Sequence, residues 1–394
     1  MVKQEIFIIG AKGIPANYGG FESFVDQLTA RKQNKEIHYN VACRRDLSDN
    51  KDDFYEYNNA SCFNVDVPNV GPAKAIFYDV SAFRKSLNII KEKHIENPIV
   101  YVLACRMGPF IKHLKNELRK YDGTLFVNPD GHEWLRAKWS YPVRRYWKYS
   151  ERLMVKSADL LICDSQNIEK YIKNDYKQYN PKTTYIAYGA DIKPSTYNYS
   201  DKDVESWYEE HQINLNNYYL IVGRFVPENN YETMIREFMS SDTSKDLVII
   251  TNVEKNKFYE NLKESTSFDT DKQIKFVGTV YNAELLKFIR ENAFAYIHGH
   301  EVGGTNPSLL EALGSTKVNL LLNVGFNHEV GLDGADYWNK EIGSLKQLIE
   351  NIDVIKSERV EELNNASNKR ILNQFDWSII TKKYESIFME KFND

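Results

Sequence analysis

Residues 5–32, EIFIIGAKGIPANYGGFESFVDQLTARK, decide the fold. The run EIFIIG is apolar, rich in isoleucine and of strand length, while FESFVDQLTARK, from about Phe21, has the 3–4 spacing of an amphipathic helix. Between them Gly10, Gly13, Gly19 and Gly20 form a turn whose N–H groups can approach a ligand, leading into a helix start that favours an anion. The spacing is not GxGxxG, and no acidic residue clearly ends the second strand. Two readings stand: a phosphate or sugar contact from Gly19 and Gly20, or a Gly-rich turn and nothing more.

The same rhythm continues outward. Strand-like runs YNVACR, CFNVDV, PIVYVLAC, TLFVNPDG, DLLICDS and TTYIAYG alternate with helical stretches such as FRKSLNIIKEKH, FIKHLKNELRKY and SQNIEKYIKNDYK, the pattern of a parallel sheet covered on both faces. After a polar interval from about Ile192 to Asn217 it restarts with YYLIVGRF, DLVIITNV, IKFVGTV, AFAYIHGH and VNLLLNV. This predicts an α/β protein of two doubly wound domains, 1–195 and 196–374, with a helix over 375–394 packing back on the first domain, and ligands at the carboxyl ends of both sheets.

Composition agrees. With 394 residues, 42% hydrophobic and 27% charged, the chain is globular, and a net charge of −4 argues against a dedicated nucleic-acid binder. No run of 18 apolar residues and no signal-peptide pattern occurs, and the four cysteines lack metal-ligand spacing, so buried thiols and a cytoplasmic location are expected.

Three stretches carry candidate chemistry. NPDGHEWLRAKW, at a strand's carboxyl end, gathers Asp130, His132, Glu133, Arg136 and Lys138; a His between two carboxylates can orient or deprotonate a hydroxyl, whereas Asp130 and Gly131 alone would suit a tight turn. Asp164 and Ser165 close the next strand, as a contact to the donor sugar or as a helix N-cap. In the second half Arg224 follows a strand, where its guanidinium suits a phosphate, and VGGTNPSLLEAL reads as a Gly-rich loop, Thr305, an Asn306 N-cap, Pro307 and Glu311 in the helix. A Ser308–Glu311 capping box is the competing reading of that helix start. There is no P-loop and no Ser-His-Asp order; the DTD at Asp269–Asp271 is not assigned a metal.

A third signal concerns the acceptor. From Trp134 to Lys156 the chain interleaves basic residues with Trp and Tyr, Trp139 among them, and Arg144, Lys148, Arg152 and Lys156 recur every fourth residue as a stripe on one helix. Such a stripe suits an anionic membrane surface, at about 3 to 4 kcal/mol if half the charges are well oriented. A solvated helix face is the alternative.

GAKGIPANYGGFE, NPDGHEWLRAKW, VGRFVPENN and VGGTNPSLLEAL, in this order, resemble the retaining GT-B glycosyltransferases of family four, and within them the bacterial β-1,4-rhamnosyltransferases of capsule and rhamnose-polysaccharide assembly. The resemblance implies two Rossmann-like domains facing across a cleft, a nucleotide-sugar donor in the second, no metal or cofactor, and transfer of L-rhamnose from dTDP-L-rhamnose with retention. The acceptor it implies is glucose or N-acetylglucosamine on a lipid diphosphate, at the inner face of the cell membrane. Carried over, Gly19, Gly20 and Arg224 meet the leaving phosphate, Thr305 and Asn306 offer amides to the diphosphate, Glu311 binds the nucleoside sugar, and His132, with Asp130 and Glu133, lines the acceptor and reaction centre. Arg136, Lys138, Trp139, Arg144, Lys148 and Arg152 would serve the acceptor and membrane. Two positions depart: Asn229 stands where many members have Lys, and Gly303 where they have Glu, with Glu301 nearby but out of register. Outside transfer, a sugar-nucleotide epimerase and a silent lipid-sugar-binding subunit remain the rival readings.

Overall fold

The computed structural model describes residues 3–16, 19–136, 139–253 and 255–390. It divides into two compact units, 1–189 with 377–394, and 190–376. The first boundary therefore falls earlier than the expected 195, and the last helix starts at Trp377.

In the first unit the strands are β1 (Gln4–Ile9), β2 (Ile37–Arg44), β3 (Phe54–Tyr57), β4 (Ala60–Val65), β5 (Ile99–Leu103), β6 (Thr124–Asn128), β7 (Leu160–Cys163) and β8 (Thr183–Tyr185). They form one sheet in the order β3-β4-β2-β1-β5-β6-β7-β8, parallel except for β3 against β4. The chain steps outward from β1 to β4 and then returns to β5 on the other side of β1, so the sheet reverses direction between β1 and β5. Every residue of β5 is buried, which is what a strand covered on both faces requires. The four cysteines are buried and unbridged.

The helix Trp377–Met389 belongs to this unit. Its buried residues Trp377, Ile380, Thr381, Tyr384 and Phe388 follow a 3–4 spacing, and the Tyr384 ring lies 5.0 Å from Phe24 and 6.1 Å from Tyr101. A side chain on Gly189 would come within 2.4 Å of the Trp377 ring, so only glycine lets the chain pass there.

The second unit carries β9 (Tyr218–Val222), β10 (Asp246–Ile250), β11 (Ile274–Phe276), β12 (Ala295–His298), β13 (Asn319–Leu322) and β14 (Asp336–Trp338), ordered β11-β10-β9-β12-β13-β14 and all parallel. Its reversal lies between β9 and β12. Open sheets of this kind bind ligands beyond the carboxyl ends of the strands at such a reversal. That rule directs attention to the residues after β1, β5 and β6 in one unit, and after β9 and β12 in the other.

Candidate functional site

In the first unit the loop after β1 is built for close approach. Gly10 has φ +102°, and a Cβ on it would lie 2.3 Å from the Leu103 carbonyl oxygen. The helix Gly20–Ala30 ties the loop back: Lys12 donates its N–H to Glu22 at 2.7 Å and Ala16 to Asp26 at 2.9 Å. Glu22 also lies directly against Gly19, so a carboxylate shares the ground expected for an anion at Gly19 and Gly20 and offsets part of the attraction of that helix start.

The residue following β5 was not singled out from sequence. Arg106 donates to the Gly10 carbonyl at 2.8 Å and pairs with Asp79 at 3.1 Å, while Tyr146 donates its hydroxyl to the Arg106 carbonyl. Asp79 is fully buried, and that burial pushes its carboxyl up to about 6, even though Arg106 pulls the other way. Beside it, Tyr78 donates to the carbonyls of Ala11 and Ala42. One helix turn therefore clamps the glycine loop from beneath. The missed signal was the same as for Arg224, an Arg just past a buried strand.

After β6 the backbone takes three consecutive left-handed residues, Asp130 (φ +60°), Gly131 (+105°) and His132 (+53°). Two of the three are not glycine, at about 1 to 3 kcal/mol each, more than a simple turn needs. The turn lifts the His132 ring onto Tyr171, centroids 4.1 Å apart, with Trp134 at its edge. Neither imidazole nitrogen hydrogen-bonds to a described residue. Burial first, and then the Lys148 ammonium, lower its pKa, against an opposing pull from Asp175. Burial and the ammonium together favour the neutral imidazole.

Its neighbours are placed differently from the expectation. Glu133 pairs with the Arg136 Nε and accepts from Trp139 Nε1 at 2.9 Å, so its carboxylate braces the loop; Arg136 is 7% exposed and also lies 4.0 Å from Asp130. Arg136 is a buried ion-pair partner and not a membrane contact. Trp139 is half-buried, its ring 6.0 Å from Trp147. Lys138 lies outside the described residues.

The expected basic stripe faces out only in its second half, at Arg152 and Lys156. On the helix Tyr141–Ser157, Arg144 is half-buried and donates to the Arg136 carbonyl at 3.2 Å, and Lys148 is held by Tyr171, Glu151 and Asp175. The exposed cations are Arg145, Arg152 and Lys156, accompanied by Tyr141 and Tyr149 and, on the adjoining helix Gly108–Arg119, by Phe110. The phase is set by Ser150, which accepts the Gly108 N–H and donates to the Cys105 carbonyl, and by buried Met154.

Asp164 is 3% exposed at the end of β7 in the first unit, and the N-cap there is Ser165, whose hydroxyl accepts the Ile168 N–H at 3.1 Å.

In the second unit Arg224 follows β9. It is exposed, and among the described residues no ion pair or hydrogen bond holds its guanidinium. Asn229 steadies the backbone beneath it, donating to the Arg224 carbonyl at 2.7 Å and meeting His300 Nδ1 at 2.8 Å. The position that carries Lys in the resembling family is therefore used here as a brace. Asn230 ties the loop to the segment after β12 through the Gly299 carbonyl and Glu301, which also pairs with Lys340.

Gly303 (φ +125°) and Gly304 lead into buried Thr305 and the helix Pro307–Leu313. The cap is Asn306, whose side chain accepts the N–H groups of Ser308 and Leu309. Among the described residues Ser308 and Glu311 form no capping box, and the cap takes up the Ser308 and Leu309 amides, not those of Thr305 and Asn306 expected to meet the diphosphate. Glu311 instead pairs at 2.7 Å with Arg290, which is 4% exposed, leaving the Glu311 carboxylate fixed and half in solvent. His298, deep behind this loop, is lowered by burial to about 3 and stays neutral.

Among the described residues no cluster of His, Cys, Asp and Glu is arranged to hold a metal ion, and Asp269 of the DTD pairs with Lys263. No helix among them is long and apolar enough to cross a membrane.

Solved structures place the architecture. Sucrose-phosphate synthase from Thermosynechococcus elongatus superposes with a TM-score of 0.75 at 16% identity, covering 98% of each chain. An α,α-trehalose-phosphate synthase (UDP-forming) from Burkholderia xenovorans, in complex with glucose-6-phosphate, gives 0.74 at 10% identity, covering 98% of this chain and 100% of that one. Anabaena Alr3699/HepE, in complex with UDP and glucose, gives 0.69 at 12% identity, covering 98% and 99%. The fold is GT-B, two Rossmann-like domains in one chain. Within it, residues 3–191 match a family model described as a domain of unknown function, DUF1972. No curated protein matches the chain.

Proposed function

We propose that this protein is a nucleotide-sugar-dependent glycosyltransferase whose second unit holds the donor and whose first unit holds the acceptor. The observation that carries the reading is Arg224, an exposed guanidinium with no anionic partner among the described residues, set at the sheet reversal of a GT-B domain and tied through Asn229 to His300 just before the Gly303–Thr305 loop. A cation kept unpaired at such a place suits a diphosphate, and an Arg–phosphate bond contributes about 1.5 to 3 kcal/mol. Glu311, fixed by Arg290, suits a nucleoside hydroxyl.

The finer assignment rests on the resemblance of the four motifs: L-rhamnose moves from dTDP-L-rhamnose to a glucose or N-acetylglucosamine on a lipid diphosphate, with retention and without a metal. In that mechanism the departing diphosphate accepts the proton of the incoming hydroxyl on the same face, so the protein positions reactants and stabilises charge. His132, whose ring nitrogens make no hydrogen bond among the described residues, orients the acceptor hydroxyl. Contact with the anionic inner face of the membrane falls to Arg145, Arg152 and Lys156 with Tyr141, Tyr149 and Phe110, the residues exposed on their helices.

Incubation with dTDP- and UDP-sugars and a synthetic lipid-diphosphate sugar, with products identified by mass, tests the reading. A sugar added to the lipid supports it. Donor turnover without acceptor would point to an epimerase, and neither outcome to a binding subunit.

A further inference from the structure

The cluster behind His132 has no part in the transfer chemistry above, and Lys148 is at its centre. The Lys148 Nζ lies 4.6 Å from the Trp134 ring, 4.8 Å from Tyr171 and 5.0 Å from Tyr176, and it donates to the Tyr171 hydroxyl at 2.5 Å. Tyr171 and Tyr176 both donate their hydroxyls to Glu151 Oε1, which is 3.5 Å from the same ammonium. Tyr171 is also the ring on which His132 rests. A cation surrounded by three aromatic faces and anchored to a buried carboxylate is a rigid arrangement, since each ring face attracts the charge and the carboxylate fixes the two hydroxyls.

We propose that Lys148 is a positioning residue for His132: by holding Tyr171 through its ring face and its hydroxyl it seats the imidazole so that the ring is presented to a substrate hydroxyl. The part played by that hydroxyl rests on the glycosyltransferase reading; the coupling of Lys148 to the ring does not.

The groups facing His132 are the Tyr171 ring on which it rests, Trp134 at its edge, and the charges of Lys148 from the helix Tyr141–Ser157 and of Asp175 from the helix Gln166–Asp175; Glu151 and Tyr176 reach it only through Tyr171. The two phenols stay neutral, because burial and then Glu151 push both hydroxyls far up. Asp175 lies 3.4 Å from Lys148 and opposes it, yet Lys148 has the larger effect on the ring. Removing the ammonium takes away its depressing effect and leaves burial opposed by Asp175, so the pKa is expected to rise.

The test is a proton-detected NMR titration of the His132 ring in the full-length protein, alongside pH profiles of kcat/KM once a substrate pair is known. For Lys148→Met the His132 midpoint is expected to move up by about half a unit or more, and the acid limb of the profile to move with it. Lys148→Arg, which keeps the charge, should return both toward the starting value. Asp175→Asn changes a half-exposed carboxylate and should shift the midpoint the opposite way, giving an answer even if Lys148→Met fails to fold. An unmoved midpoint in a folded Lys148→Met protein, or in Asp175→Asn, overturns the proposal. The NMR midpoint is read whether or not sugar is transferred, so a moved midpoint without transfer would count against the glycosyltransferase reading and leave the role of Lys148 standing.

Discussion

The arginine after β5 and the arginine after β9 each follow a strand at the reversal of their sheet, with opposite charge surroundings. Around β5 and β6 nearly every charge is matched within the protein: Arg106 with Asp79, Arg136 with Glu133 and Asp130, Lys148 with Glu151 and Asp175. After β9 the Arg224 guanidinium is exposed and, among the described residues, unmatched, while its backbone is braced by Asn229. Matched charges make a stiff frame that shapes a pocket, and an unmatched cation waits for a ligand's anion. The contrast separates residues that hold the fold from those that hold the substrate, and each can be broken separately.

The largest effect belongs to the matched side. Asp79→Ala strands a buried guanidinium and should cost about 3 to 5 kcal/mol in a urea unfolding series. Arg224→Ala should change stability by no more than about 0.5 kcal/mol, as surface substitutions do, yet reduce turnover with a lipid acceptor at least about tenfold. If Arg224→Ala destabilised and Asp79→Ala did not, the contrast would be inverted. Next in size, replacing Arg145, Arg152 and Lys156 together by Gln should weaken binding to anionic vesicles by about tenfold or more and spare transfer to a soluble acceptor analogue; the same change at Arg144 and Lys148 should disturb the first unit instead. The smallest is Asn306→Ala, which removes a helix cap at about 1 kcal/mol of stability.

Much of the fold was legible because the strands of both sheets are apolar, β-branched runs that stand out against amphipathic helices. Two were not. β3, FYEY, alternates between exposed and half-buried positions on the sheet edge, and β14, DYW, is three residues long, so neither has a continuous apolar run. At the site, Arg224 and His132 could be found because each follows a strand directly. The matched partners could not: Asp79 reaches Arg106 across 27 residues, and Arg290 reaches Glu311 from another helix, contacts that periodicity does not encode. The stripe on Tyr141–Ser157 is legible only in its second half, since basic residues lie on both sides of that helix and the seating of Ser150 against Gly108 fixes which side faces out.

The central claim is that Arg224 and the loop before Pro307 grip a diphosphate, and calorimetric titration of a nucleoside diphosphate and of the matching nucleoside tests it most directly. The account predicts that the intact protein binds the diphosphate at least about tenfold more tightly than the nucleoside, and that the difference largely disappears in Arg224→Ala while nucleoside binding is retained. Equal affinity of both proteins for the diphosphate would contradict it.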